Sequence, residues 1–140
     1  MTAATAYTCL KEIRFHHCDP AGIVFYPQYF VLFHELIEDW FNDGLNISYS
    51  EMIAIHRKGI PTVRLECDFL APSRLGDVLT MQLNVARLGE SSLRVKLSAS
   101  HLGKKRIAAT QTVVLISLET MRPMPLPEDY IFRMTPFVSE

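Results

Sequence analysis

The spacing of apolar residues in this chain changes period once, near residue 60, and that change restricts the fold more than any other feature. Before it, Phe30, Phe33, Leu36, Ile37, Trp40 and Phe41 recur at helical spacing, with Gln28, Glu35, Glu38, Asp39 and Asn42 on the polar side. Pro27 suits the first helical position, where its missing N–H would be unpaired anyway, and Gly44 suits the residue that ends the helix. After the change, four runs alternate with period two: Val63 to Phe69, Leu79 to Val85, Leu93 to Ser100 and Ile107 to Leu118, the last apolar on both sides near its end. Turn signals at Pro72 to Asp77, Gly89 to Ser92 and Gly103 to Lys105 separate them, and connections this short imply hairpins. Tyr7 to Phe15 reads as a further strand, and Ser50 to Lys58 as a short second helix stopped by Gly59 and Pro61. Arg122 to Glu140 holds four of the eight prolines and reads as an extended strap. The expectation is an α+β domain, with one long helix covering one face of a five-stranded antiparallel sheet.

Size and charge narrow the function. A chain of 140 residues with 49% hydrophobic content fits one domain, 1–140, with a real core. Fourteen Lys and Arg against 15 Asp and Glu leave a net charge of −1, which is not the basic field of a nucleic-acid binder. No apolar run approaches the roughly 20 residues of a membrane span. Met1 to Tyr7 has neither the basic residue nor the apolar stretch of an export signal. Cys9, Cys18 and Cys67 are widely spaced and cannot all pair, so reduced thiols and a cytoplasmic location are expected.

The chemistry concentrates in Phe15 to Tyr29, F-H-H-C-D-P-A-G-I-V-F-Y-P-Q-Y. Asp19 ends an apolar alternating run and is followed by a tight Pro-Ala-Gly turn and the start of the long helix. A lone Asp before such a turn is most often a turn-former, binding local N–H groups. It lies too far before Pro27 to cap that helix locally. Its surroundings favour a second role: Ile23, Val24, Phe25 and Tyr26 would rim it and exclude water. A carbonyl held between Asp19 and the helix N-terminus would meet an oxygen base on one side and N–H donors on the other. His16, His17, Cys18 and Asp19 all carry ligand atoms. On an extended segment, however, they split two to a face, and His34, His56 and His101 are isolated, so no metal or cofactor is expected. No G-x-S-x-G elbow is present, and Cys18 cannot face His17 on a strand. Glu35, Glu38 and Asp39 read as a solvated helix face that could reach a partner subunit. Lys104, Lys105 and Arg106 make a basic hairpin tip, either a solubilising turn or a phosphate contact.

These residues resemble the signature of hotdog-fold thioesterases, in particular the 4-hydroxybenzoyl-CoA thioesterase type. The likeness runs along most of the chain. Gly59 and Pro61 open the second strand, G-D-V-L-T lies at Gly76 to Thr80, and L-P-E-D-Y lies at Leu126 to Tyr130. The resemblance implies a five-stranded antiparallel sheet wrapped around one long central helix. It also implies a homodimer with active sites at its interface, often paired into a homotetramer. By the same likeness, Asp19 is the catalytic carboxylate, as nucleophile or as general base, and the Tyr26 backbone N–H polarises the thioester carbonyl. Gly22, Phe25, Pro27, Tyr29, Phe30 and Pro61 are then expected at the substrate. His17, read from its place in the chain and not from the likeness, is a further catalytic candidate, since a histidine near Asp19 shifts its basicity.

Two departures bear on the substrate. His16-His17 stands where the 4-hydroxybenzoyl-CoA enzyme has Gly-Asp. Gly89, Glu90 and Ser91 stand where that enzyme holds nucleotide phosphates with an Arg-Arg-Lys run. Phosphate contacts are therefore expected from Arg87, Arg94 or the Lys104, Lys105, Arg106 tip. Pro27 counts against the subgroup acting on short-chain acyl-CoA, which usually carries histidine there. The reading is an acyl-CoA thioesterase for an aromatic or medium-length acyl group. An acyl carrier protein thioesterase and a non-catalytic acyl-thioester-binding domain stand as rivals, and a hotdog hydratase as a weaker one.

Overall fold

The computed structural model describes residues 5–139. Met1 to Ala4, part of the segment read for an export signal and of the domain 1–140, and Glu140, the end of the tail, lie outside the described residues. The sheet has the order β1-β4-β5-β6-β3, every neighbouring pair antiparallel. Its strands are β1 (Tyr7–Glu12), β3 (Thr62–Phe69), β4 (Val78–Leu88), β5 (Ser92–His101) and β6 (Lys104–Val114). The helix α1 (Tyr26–Asp39) buries Tyr29, Leu32, Phe33, Leu36 and Ile37. Opposite them lie Leu79, Met81, Leu83 and Val85 of β4, Leu93, Val95, Leu97 and Ala99 of β5, and Ile107 and Val113 of β6. Each Val, Leu, Ile, Phe or Met among them contributes about 1.5–3 kcal/mol when fully buried. This is the hotdog architecture that the resemblance implies. Among the described residues no helix is long and apolar enough to cross a membrane.

The elements differ from the sequence reading at their ends. The first strand stops at Glu12, and Phe15–His17 forms a 3-10 turn, so His16 and His17 are not on an extended segment. Pro27 takes the second helical position, because Phe25 is the N-cap and Tyr26 the first helical residue. Gly44 does not end the helix in a left-handed conformation; that falls at Asn46 (φ 55°). Gly44 closes a π turn, Trp40–Gly44, where an added Cβ would sit 2.7 Å from Cδ1 of Trp40. Close approach, not backbone freedom, requires glycine there.

The second helix, α2 (Tyr49–Ala54), starts at a Ser48 cap and ends earlier than Lys58. Lys58 and Gly59 instead form β2, paired with β7 (Ile116–Ser117) in a small second sheet. The run Ile107 to Leu118 is therefore broken after Val114. Leu115 and Ile116, consecutive and both buried, sit where the chain passes from one sheet to the other. The tail is extended only as far as Pro127. Glu128–Met134 then forms α3, followed by a 3-10 turn at Thr135–Phe137. Tyr130, Met134 and Phe137 are buried at helical spacing, a pattern the surrounding prolines mask in the sequence.

Candidate active site

Residues 18–25 make a small irregular hairpin ahead of α1. Cys18 bridges Val24, Asp19 N–H donates to Ile23 O, and Gly22 N–H donates to Asp19 O (3.0 Å each). Gly22 has φ +77°, which the turn requires and which a side chain would strain. Asp19 is half-buried, and its Oδ1 accepts the Ala21 N–H at 2.9 Å. Asp19 is thus a turn-former, but with one oxygen only. Its Oδ2 has no hydrogen-bond partner among the described residues.

The hairpin delivers the chain to the helix with one donor unused. Phe25 N–H donates to His17 O (2.9 Å), Gln28 N–H donates to Phe25 O (2.8 Å), and Pro27 has no N–H. Tyr26, the first helical residue, has no intrahelical acceptor by geometry and none elsewhere among the described residues. A carboxylate oxygen and a helix N-terminal N–H, each without a partner among the described residues, therefore lie on the same short segment. Asp19 attracts protons or electrophiles, and the Tyr26 N–H favours developing negative charge.

Aromatic rings border this segment. The Phe69 ring, at the end of β3, lies 6.0 Å from Tyr26, 6.2 Å from Tyr29 and 6.4 Å from Phe30, centroid to centroid. The Tyr26 ring meets Phe25 (5.5 Å) and Phe30 (6.4 Å) edge-on. Phe25, Tyr26 and Phe69 are each half-exposed, whereas Tyr29 is buried and its hydroxyl donates to Oγ of the fully buried Ser73 (2.8 Å). Phe33, by contrast, is core. Phe69 and Ser73 were not singled out by sequence. Phe69 reads as one more inward position of an alternating strand, and Ser73 as one more turn residue.

His17 is buried, with Nδ1 accepting the Arg14 N–H at 2.8 Å, so the neutral ring carries its proton on Nε2. Burial, then the neighbouring His16, push its pKa below the ordinary histidine value. Its ring lines a depression with Lys11, Arg14, His16 and Glu35, and no hydrogen bond joins it to Asp19. The structure therefore gives His17 a backbone-holding role beside the turn. Among the described residues no three His, Cys, Asp or Glu side chains converge as metal ligands, and all three cysteines are free thiols.

The cations expected at a phosphate are dispersed. Arg87 and Arg94 pair across β4 and β5 on the sheet face away from α1. They lie nine residues along β4 from Val78, about 30 Å at the usual strand rise. Pro61, beside Thr62 at the start of β3, is likewise at the end away from Phe69. Neither group is brought to Asp19 within one chain. Lys104 and Lys105 are exposed at the near end, where Leu102 and Gly103 make the turn. Arg106 is turned inward: Nη1 donates to Pro72 O (2.6 Å) and to Asp77 Oδ2 (3.1 Å). The expectation of Arg106 as a phosphate contact meets a side chain already committed, a difference that burial makes and sequence adjacency hides.

Comparison with known proteins gives the family and the fold. Residues 13–133 match the family model described as the thioesterase-like superfamily. A 1,4-dihydroxy-2-naphthoyl-CoA hydrolase from Synechococcus elongatus (strain ATCC 33912 / PCC 7942 / FACHB-805) is 32% identical over 124 residues, 87% of this chain and 90% of that protein. The crystal structure of a 1,4-dihydroxy-2-naphthoyl-CoA thioesterase from Synechocystis superposes with a TM-score of 0.85 at 22% identity, covering 94% of this chain and 96% of that one. A gentisyl-coenzyme A thioesterase does so at 0.82 and 22% identity, covering 92% and 99%. Because the family model spans the Asp19 hairpin, α1 and all five strands of the main sheet except the first, the chain belongs to the thioesterase-like superfamily.

Proposed function

We propose that the chain is an acyl-CoA thioesterase whose preferred acyl group is aromatic, with Asp19 as the catalytic carboxylate and the Tyr26 N–H as oxyanion donor. The observation that carries this is the pairing, within one eight-residue hairpin and the first turn of α1, of a carboxylate oxygen and a backbone donor that both lack partners among the described residues. Oδ2 of Asp19 takes a proton from water as it attacks the thioester carbonyl, or itself attacks to form an anhydride that water then opens. Either way the C–S bond breaks, the thiolate leaves and takes up a proton, and the acid is released. A thiolate needs little general-acid help, so one carboxylate and one donor suffice. One oxyanion donor is worth about 10²–10³ in rate, and a general base about 10²–10⁴.

The half-exposed Phe25, Tyr26 and Phe69, with Phe30 beside them, support an aromatic acyl group, since ring faces and edges accept another ring. The naphthoyl-CoA name of the Synechococcus relative supports it too. The dispersal of Arg87, Arg94 and Pro61 supports a homodimer in which a second chain completes the substrate site. A second reading, an acyl carrier protein thioesterase, rests on the same dispersal. Turnover of benzoyl-, 1,4-dihydroxy-2-naphthoyl- and fatty-acyl-CoA, beside acyl carrier protein thioesters, tests both. Aromatic CoA thioesters are expected to give the highest kcat/KM. Hydrolysis confined to carrier-protein thioesters would replace the coenzyme A reading, and no hydrolysis of any would overturn the function.

A further inference from the structure

The Asp19 hairpin carries no regular element of its own between the 3-10 turn and α1, so something must fix its position. The neighbour that does so is the loop 70–77 between β3 and β4. Val24 N–H donates to Ser73 O (2.9 Å), Leu75 N–H donates to Gly22 O (3.0 Å), and Ile23 bridges Arg74. Tyr29, one turn into α1, adds its hydroxyl to Ser73. The Asp19 turn is thus bridged to this loop as well as bonded to His17 O through the Phe25 N–H, and its placement depends on the loop.

Backbone bonds tie the loop to Ile13 (Gly76 N–H to Ile13 O, 2.9 Å; Ile13 N–H to Asp77 O, 2.8 Å) and to Arg106 O (from Leu70 N–H, 2.9 Å), and two charged side chains hold its interior. Asp77 Oδ2 accepts the Arg74 N–H (2.9 Å) and the Arg106 Nη1 (3.1 Å), and Arg106 Nη1 also donates to Pro72 O (2.6 Å). His101 Nε2 lies 3.7 Å from Asp77 Oδ1, while its Nδ1 meets Val78 O at 3.0 Å. The Asp77 and Arg106 side chains are 19% and 17% exposed, so water screens this pair far less than a surface bridge. The Arg74 N–H, then Arg106 and His101, hold the Asp77 carboxyl below its ordinary range against the opposing effect of burial. Both ends of the loop, Pro72 and Asp77, are tied to one guanidinium.

We infer that Asp77 and Arg106 are positioning residues for catalysis: their ion pair clamps the loop 72–77, which in turn sets the Asp19 carboxylate against the Tyr26 N–H. The inference rests on the proposed thioester hydrolysis for its kinetic part and on geometry alone for its structural part. On this inference neither residue acts by touching the substrate. The clamp therefore belongs to kcat, since a displacement of the order of an ångström in reacting groups costs about 10²-fold.

The test combines steady-state kinetics on a thioester that the wild type turns over with backbone amide exchange. The variants are Asp77→Ala, Arg106→Ala, the double variant and Arg106→Lys. The clamp predicts a kcat about tenfold to a hundredfold lower in each alanine variant, with KM little changed. It predicts that the double variant is no worse than the poorer single one, because both break one pair. Arg106→Lys, which keeps the charge but not the fork, recovers part of the loss. Exchange at Val24 and Leu75 accelerates, while Val95 in the middle of the sheet stays protected. A raised KM with intact kcat in Arg106→Ala would make Arg106 a phosphate contact and overturn the clamp. So would unchanged kcat in every variant, or exchange accelerated as much at Val95 as at Val24. Should Asp77→Ala not fold, Arg106→Lys carries the same criteria. Absence of hydrolysis by the wild type would sink the proposed function alone, and exchange at Val24 and Leu75 would then decide the clamp.

Discussion

Asp19, Tyr29 and His17 show how single side chains serve the hairpin in different ways. Asp19 spends one carboxylate oxygen on Ala21 N–H and leaves the other open, so the turn-forming and catalytic readings coexist in one residue. Tyr29 was read from the sequence as substrate lining, yet it is buried and bonded to Ser73. Tyr29→Phe strands the fully buried Ser73 hydroxyl, and chemical denaturation is expected to show a loss of about 1–3 kcal/mol. His17 predicts a pH dependence. Its folded pKa lies below 6.5, so the unfolded chain binds the extra proton first as pH falls. Its contribution is therefore full above 6.5 and declines as pH drops from there through the folded value, because protonation of Nδ1 breaks the Arg14 bond. Stability against pH should fall less steeply over that window in His17→Asn than in the wild type; equal slopes would remove His17 from the account. The turn at Asp19 was legible because an Asp-Pro-Ala-Gly run before a helix is a local pattern, whereas the catalytic role proposed for it comes from the family resemblance. The roles of Ser73, Asp77 and Arg106 were not legible, because each depends on a partner 29 or more residues away.

Elements were legible in kind and misread at their ends. Periodicity found α1, β4 and β5 because each buries a regular stripe, and it found β3 although that strand alternates without burying either face within one chain. It failed where buried side chains serve two layers, as at Leu115 and Ile116, or where prolines suggested extension, as before α3. Gly44 illustrates the difference between a correct residue and a wrong reason. It lies near the helix end, but steric contact with Trp40 and Tyr7, not a left-handed φ, excludes a side chain there. Gly44→Ala is expected to cost about 1–3 kcal/mol by overpacking. Near-ultraviolet circular dichroism should report the displaced Trp40. A wild-type melting curve and an unchanged tryptophan signal would contradict the contact.

At the scale of the whole molecule, the unfinished part is the β3 edge. Val63, Phe69 and Leu70 are each more than half exposed, Leu65 is also exposed, and among the described residues no strand pairs with the outer side of β3. A long apolar edge invites another chain. A homodimer formed on this edge would bring a second chain's residues toward the Asp19 hairpin, because the Phe69 ring lies 6.0 Å from that of Tyr26. Sedimentation velocity should give a dimer for the wild type and a monomer of low activity for Val63→Lys/Leu65→Lys. A wild-type monomer that hydrolyses thioesters would show that one chain suffices. The central claim is that Asp19 carries the chemistry, and the direct measurement compares wild type with Asp19→Asn on the best aromatic acyl-CoA, following released thiol. Asparagine keeps the bond to Ala21 N–H and the shape of the turn, but it can neither accept the proton nor attack as an anion. A fall in kcat of about a hundredfold or more, with KM little changed, is predicted; an Asp19→Asn protein as active as the wild type would contradict the mechanism.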